Sequence, residues 1–152
     1  MVVESVAFGQ IEVSDEKILR FDDGLPGFPD EKTFAFLPYG PDSPFAFLQS
    51  TTSPFLIFLV VDPFTIFKDY QVDLSDDLAR EMELSEGSPP FVFNIVTIKD
   101  KLEDMTANLL APVVVNWNNR EGMQVVLEKS PYTTSHRLFP KGFPAQAGGG
   151  GK

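Results

Sequence analysis

The sequence predicts a mainly β fold, a small antiparallel β-barrel-like domain with one short peripheral helix. Three observations predict it. Short runs of alternating apolar and polar residues recur along the chain, the period of a half-buried strand. Thirteen prolines and eleven glycines punctuate those runs, as expected where strands meet turns. A single stretch combines helical spacing with a capping residue at its start. With 152 residues the chain suits one domain, read as residues 1–140, followed by a flexible Gly-rich tail over residues 141–152 whose glycine density rises after Phe143.

The elements follow in order. In GQIEVS, Ile11 and Val13 point one way and Gln10 and Glu12 the other. In ILRF, Leu19 and Phe21 flank Arg20. Between this strand and the next, Pro26 presets φ for the first corner of a turn and Gly27 supplies the positive φ that a type II turn demands at the second. TFAFLP and FAFLQS repeat the strand pattern, with Pro38, Pro41 and Pro44 confining the connection because proline donates nothing to a ladder. PFLIFLVV, residues 54–61, is apolar throughout and short, which predicts a central strand buried on both faces and ended by Asp62-Pro63.

Helical spacing then takes over. Ser75 caps, Asp76 and Asp77 sit at the positive end of the dipole, Leu78 and Met82 share a stripe, and Gly87 with Pro89 closes the helix. FVFNIVTI returns to β periodicity. In residues 108–128, Val113 and Val115 face inward, NNREG offers Asn and Gly where φ can turn positive, and Val125 with Leu127 resumes the inward face. Eight or more strands are expected beside the one helix, an antiparallel barrel or barrel-like sandwich.

Charge narrows the function classes. Twenty-two Asp and Glu against twelve Lys and Arg give a net charge of −10, so the surface repels phosphate backbones and attracts basic partners. No direct nucleic-acid binding is expected. The chain holds no cysteine, which removes disulfides and thiolate metal sites. MVVESVAFGQ lacks the basic and apolar segments of a leader, and no run approaches the length of a membrane span. A cytoplasmic protein without membrane contact is expected.

Catalytic signals are weak. His136 is the single histidine; Ser135 beside it would project to the opposite face of a strand, so the expectation is a hydrogen-bonded or solvated imidazole. Adjacent acids such as Asp22 with Asp23 and Asp76 with Asp77 carry no calcium-loop spacing, and the glycine run lacks the strand and helix of a phosphate loop. No enzyme, metal or cofactor is expected. The acidic band from Asp69 to Glu86 is more informative: seven acids against Arg80, with Tyr70 among them as an amphipathic anchor. It reads equally as a solvated helix face or a binding surface.

Several phrases in a fixed order carry a resemblance: FGQIEV, DDGLPGFPDEKTFAFLP, PFAFLQS, VVDPFTIFKDYQVDLSD, MTANLLAPVVVN and MQVVLEKSPYTTSHRL. Together, over about Val6 to Leu138, they resemble the flagellar assembly factor FliW family. The resemblance implies a β-barrel-like protein without catalytic activity that binds the translational repressor CsrA and also binds flagellin, relieving repression of flagellin translation by a partner switch. It implies that KDYQVDLS faces CsrA, through Asp69, Tyr70 and Asp73, with Asn108 and Asn116 as polar contacts near the hairpin. The chain departs from the family at Gln71, where relatives often carry Glu. Two other readings stay open: a small barrel that binds a ligand or carbohydrate in an aromatic cavity, and a hydrolase built on Ser135 and His136.

Overall fold

A computed structural model describes residues 1–142. The expected tail, apart from Lys141 and Gly142, lies outside the described residues. Eleven strands are present among them: β1 (Val2–Ser5), β2 (Gly9–Glu12), β3 (Ile18–Phe21), β4 (Thr33–Pro38), β5 (Phe45–Ser50), β6 (Ile57–Val61), β7 (Phe91–Thr97), β8 (Thr106–Ala107), β9 (Val113–Asn116), β10 (Glu121–Gln124) and β11 (His136–Arg137). Two short helices accompany them, α1 (Pro63–Ile66) and α2 (Asp76–Glu81).

Seven strands close into a barrel, β3-β4-β5-β6-β7-β9-β10 and back to β3. The mainly β, barrel-like expectation is met. Six of the seven junctions are antiparallel, and the last, β10 on β3, is parallel with Glu121 opposite Arg20 and Gly122 opposite Phe21. An odd number of strands cannot alternate direction around a closed ring, so one parallel pair is obligatory. The expected antiparallel pairing holds at the other six junctions and gives way to a parallel pair at this one. β8 continues the edge of β7 beyond β9, and β11 adds to β8.

Side chains fill the barrel. Leu19, Phe21, Phe34, Leu48, Val60 and Val113 have no solvent exposure and form one cluster; the Phe21 and Phe34 rings meet edge to face at 5.8 Å, a favourable quadrupole arrangement. Outside the barrel, the β1–β2 hairpin covers Ala35 with Val3 and Val13. A second outer cluster gathers Val61, Tyr70, Val96, Ala107, Leu109, Leu127 and Leu138.

Five local expectations change. The central strand begins at Ile57, not Pro54, and Phe55 is 71% exposed; burial on both faces is confined to Val60, inside, and Val61, outside. The residues before it form a turn, where the buried Gln49 amide nitrogen lies 3.1 to 3.3 Å from the carbonyls of Ser50, Ser53, Pro54 and Leu56. Asp62-Pro63 does not merely end that strand. The Asp62 carboxylate accepts from Phe64 N–H at 3.1 Å with Pro63 in the first turn, the start of α1, so there are two short helices and not one.

Ser75 caps α2 as expected, accepting from Leu78 N–H at 3.1 Å. The helix ends at Glu81 because Glu83 turns left-handed (φ 58°), earlier than Gly87. In the 108–128 hairpin the positive φ belongs to Arg120. Gly122 serves close approach instead, since a Cβ there would lie 2.6 Å from a Phe21 ring carbon. With Gly122 opposite Val115, parity places Val125 and Leu127 outside the barrel, in the Tyr70 cluster, and not on its inner face.

Candidate partner-binding surface

Residues between α1 and α2 form an extended strap on the outside of the barrel, and Tyr70 fixes it. Its ring is 5% exposed and meets Tyr132 edge to face at 4.7 Å. Its hydroxyl donates to the Leu109 carbonyl at 2.7 Å and accepts from the Asn94 amide at 3.2 Å. The same Asn94 amide donates to the Asn108 carbonyl at 2.8 Å. Burial pushes the Tyr70 phenol up to about 12, so the hydroxyl keeps its proton and its donor role at neutral pH. One residue on, the Gln71 N–H donates to the Tyr132 hydroxyl at 2.9 Å.

With Tyr70 pointing inward, Asp69 and Asp73 are exposed on the strap. Asn108 is half-buried, its side-chain oxygen accepting from Ala111 N–H at 3.0 Å, and it joins the strap through Asn94. Asn116 stands apart. It is 2% exposed, and its amide donates to the carbonyls of Met82 at 2.8 Å and Glu83 at 3.2 Å, which satisfies the open end of α2. Asp69, Tyr70, Asp73 and Asn108 are thus brought together, while Asn116 secures α2. Sequence reasoning passed over Asn94 and Tyr132. The signal for Asn94 was a lone amide inside the apolar run FVFNIV; for Tyr132 there was none of comparable clarity.

The electrostatics are one-sided. Asp69, Asp73, Asp76, Asp77, Glu81 and Glu83 are all exposed, and Arg80 is engaged with Asp77 at 2.6 Å. Such an array draws cations by long-range field more than by any one contact. The His136 ring nitrogen Nε2 accepts from Thr133 N–H at 2.9 Å, the hydrogen-bonded imidazole expected, and no hydrogen bond joins it to Ser135. Among the described residues no three Asp, Glu or His side chains are grouped to hold a metal, and no helix is long and apolar enough to cross a membrane.

The family described as FliW protein matches residues 2–138. This chain belongs to the FliW family. The flagellar assembly factor FliW of Desulfitobacterium hafniense is 51% identical over 149 residues, 98% of this chain and 96% of that protein. The FliW of Bacillus subtilis is 43% identical over 138 residues, 91% of this chain and 96% of its own. A crystal structure of the flagellar assembly factor FliW superposes with a TM-score of 0.83 at 38% identity, covering 93% of this chain and 99% of that one. The barrel described above is therefore the FliW fold, and the chain is placed among assembly factors.

Proposed function

We propose that this FliW-family protein acts in the cytoplasm as a non-enzymatic flagellar assembly factor: it binds CsrA, so relieving repression of flagellin translation, and flagellin is the alternative partner that takes it away. The observation that carries the reading is the acidic strap, exposed at Asp69 and Asp73 and held in one conformation by the buried Tyr70. A rigid negative surface suits an RNA-binding protein, whose own surface is cationic, and favours fast association at low salt. Tyr70 and Asn108 position this surface, and Asn116 holds the acidic α2 beside it. The barrel interior is packed with side chains, which removes the appeal of an aromatic ligand cavity.

The test is a competition. Increasing amounts of the purified protein should release labelled flagellin leader RNA from CsrA, while the protein alone leaves the RNA unbound. Added flagellin should restore the CsrA–RNA complex. Direct RNA binding without CsrA, or no complex with CsrA by calorimetry at low ionic strength, would sink the reading.

A further inference from the structure

The barrel leaves one length of strand uncovered. β10 pairs with β3 only at Glu121 and Gly122, because β3 ends at Phe21. On its other side the β10 register continues past Gln124: Val125 N–H donates to Pro112 at 2.9 Å and Leu127 N–H to Leu110 at 2.8 Å. Successive residues of a strand present their backbone groups to opposite edges, so Val126 faces away from residues 110–112. Among the described residues, no hydrogen bond engages the N–H or C=O of Val126, the C=O of Gln124 or the N–H of Glu128. Val126 is 56% exposed. Four backbone groups in register, two donors and two acceptors, stand ready for another strand.

Two depressions flank this edge. One, of about 730 Å³, runs from Gln124 toward Asp22, Asp23, Glu81, Glu83 and Glu121. The other, of about 540 Å³, lies between residues 125–132 and the strap, with Asp73 and Glu128 against Lys129. Five carboxylates and no basic residue line the first depression, and the second is weakly negative; a second copy of a chain with net charge −10 would be repelled. A cationic segment would be drawn in.

We propose that the Gln124–Glu128 edge takes an extended cationic polypeptide segment as an added strand, its backbone pairing with Val126 and its basic side chains lying over the flanking carboxylates. The surface shares Asp73 with the strap assigned above to CsrA, yet it does not depend on that assignment. The probe below is neither CsrA nor flagellin, so either idea can fail alone.

The experiment uses a fluorescein-labelled peptide alternating Lys and Val, acetylated and amidated, titrated with the full chain at low ionic strength. Saturable anisotropy is expected, lost on adding salt. Val126→Pro removes one donor that has no partner among the described residues, so its melting should be unchanged while affinity falls by up to about tenfold, the worth of one backbone hydrogen bond. Glu128→Lys should weaken binding several-fold. In the wild-type protein the peptide should slow amide exchange at Val126 and Glu128, a reading that does not depend on either variant folding. Unchanged exchange at those amides, protection confined elsewhere, or equal affinity for a Glu-Val analogue would overturn the proposal. So would a concentration-dependent dimer abolished by Val126→Pro, since it would give the edge to a second copy.

Discussion

The Tyr70 hydroxyl donates to the Leu109 carbonyl at 2.7 Å across 39 positions of chain. One bond thereby ties the acidic strap to the segment that precedes β9. Tyr70→Phe keeps the ring and removes the donor, leaving the Leu109 carbonyl and the Asn94 amide each short of a partner. The expected cost is about 1–3 kcal/mol, seen as a melting temperature lower by about 2–4 °C per kcal/mol. Titration gives a second readout. Part of the wild-type tyrosinate absorbance should rise only near pH 12, and that part should be absent from the variant.

Glu31 gives the pH dependence a named source. The Ser50 hydroxyl donates to its carboxylate at 2.6 Å and that of Thr52 at 3.2 Å, and these bonds, Ser50's foremost, hold its pKa below the ordinary value of 4.5. A carboxylate with a depressed folded pKa contributes stability that is present above the unfolded value and lost as pH falls through the folded one. The resistance of the wild type to chemical denaturation should therefore fall on acidification below about pH 4.5. Glu31→Gln should show a flatter acid limb, and identical limbs would contradict the assignment.

Gly122 is required by contact, not by backbone conformation. A Cβ there would lie 2.6 Å from the Phe21 ring and 3.1 Å from the Val114 carbonyl, and Phe21 has no exposure into which to retreat. Gly122→Ala should destabilise by about 1–3 kcal/mol, the usual range for overpacking, measured by urea denaturation. The shorter Phe21→Leu should recover part of that loss in the double variant, because the two sites share one contact.

Much of the barrel was legible because its strands alternate cleanly: β3, β4, β5, β7 and β9 stand where the pattern placed them, and the Pro26-Gly27 turn has the expected positive φ at Gly27 and the Phe28 N–H to Leu25 carbonyl bond at 2.8 Å. What escaped depends on closure. The parallel β10–β3 junction is set by an odd strand count, and the outward parity of Leu127 by the register of Gly122 on Val115; neither is written in a local window of sequence. The strap was legible as charge. That Tyr70 turns inward to meet Asn94, Leu109 and Tyr132 is a long-range fact, since those partners lie 24 to 62 positions away.

Asp69 and Asp73 test the strap without disturbing its frame. Both are exposed, so Asp69→Asn with Asp73→Asn should change stability by no more than about 0.5 kcal/mol. The steering field should weaken instead. Under the proposed function, stopped-flow association with CsrA at low salt should slow by about two- to tenfold, with a smaller change in dissociation. Raising ionic strength to about 0.5 M should bring the two proteins' on-rates together, because the Debye length then falls to roughly 4 Å. Equal on-rates at low salt would mean that these carboxylates form only a solvated face.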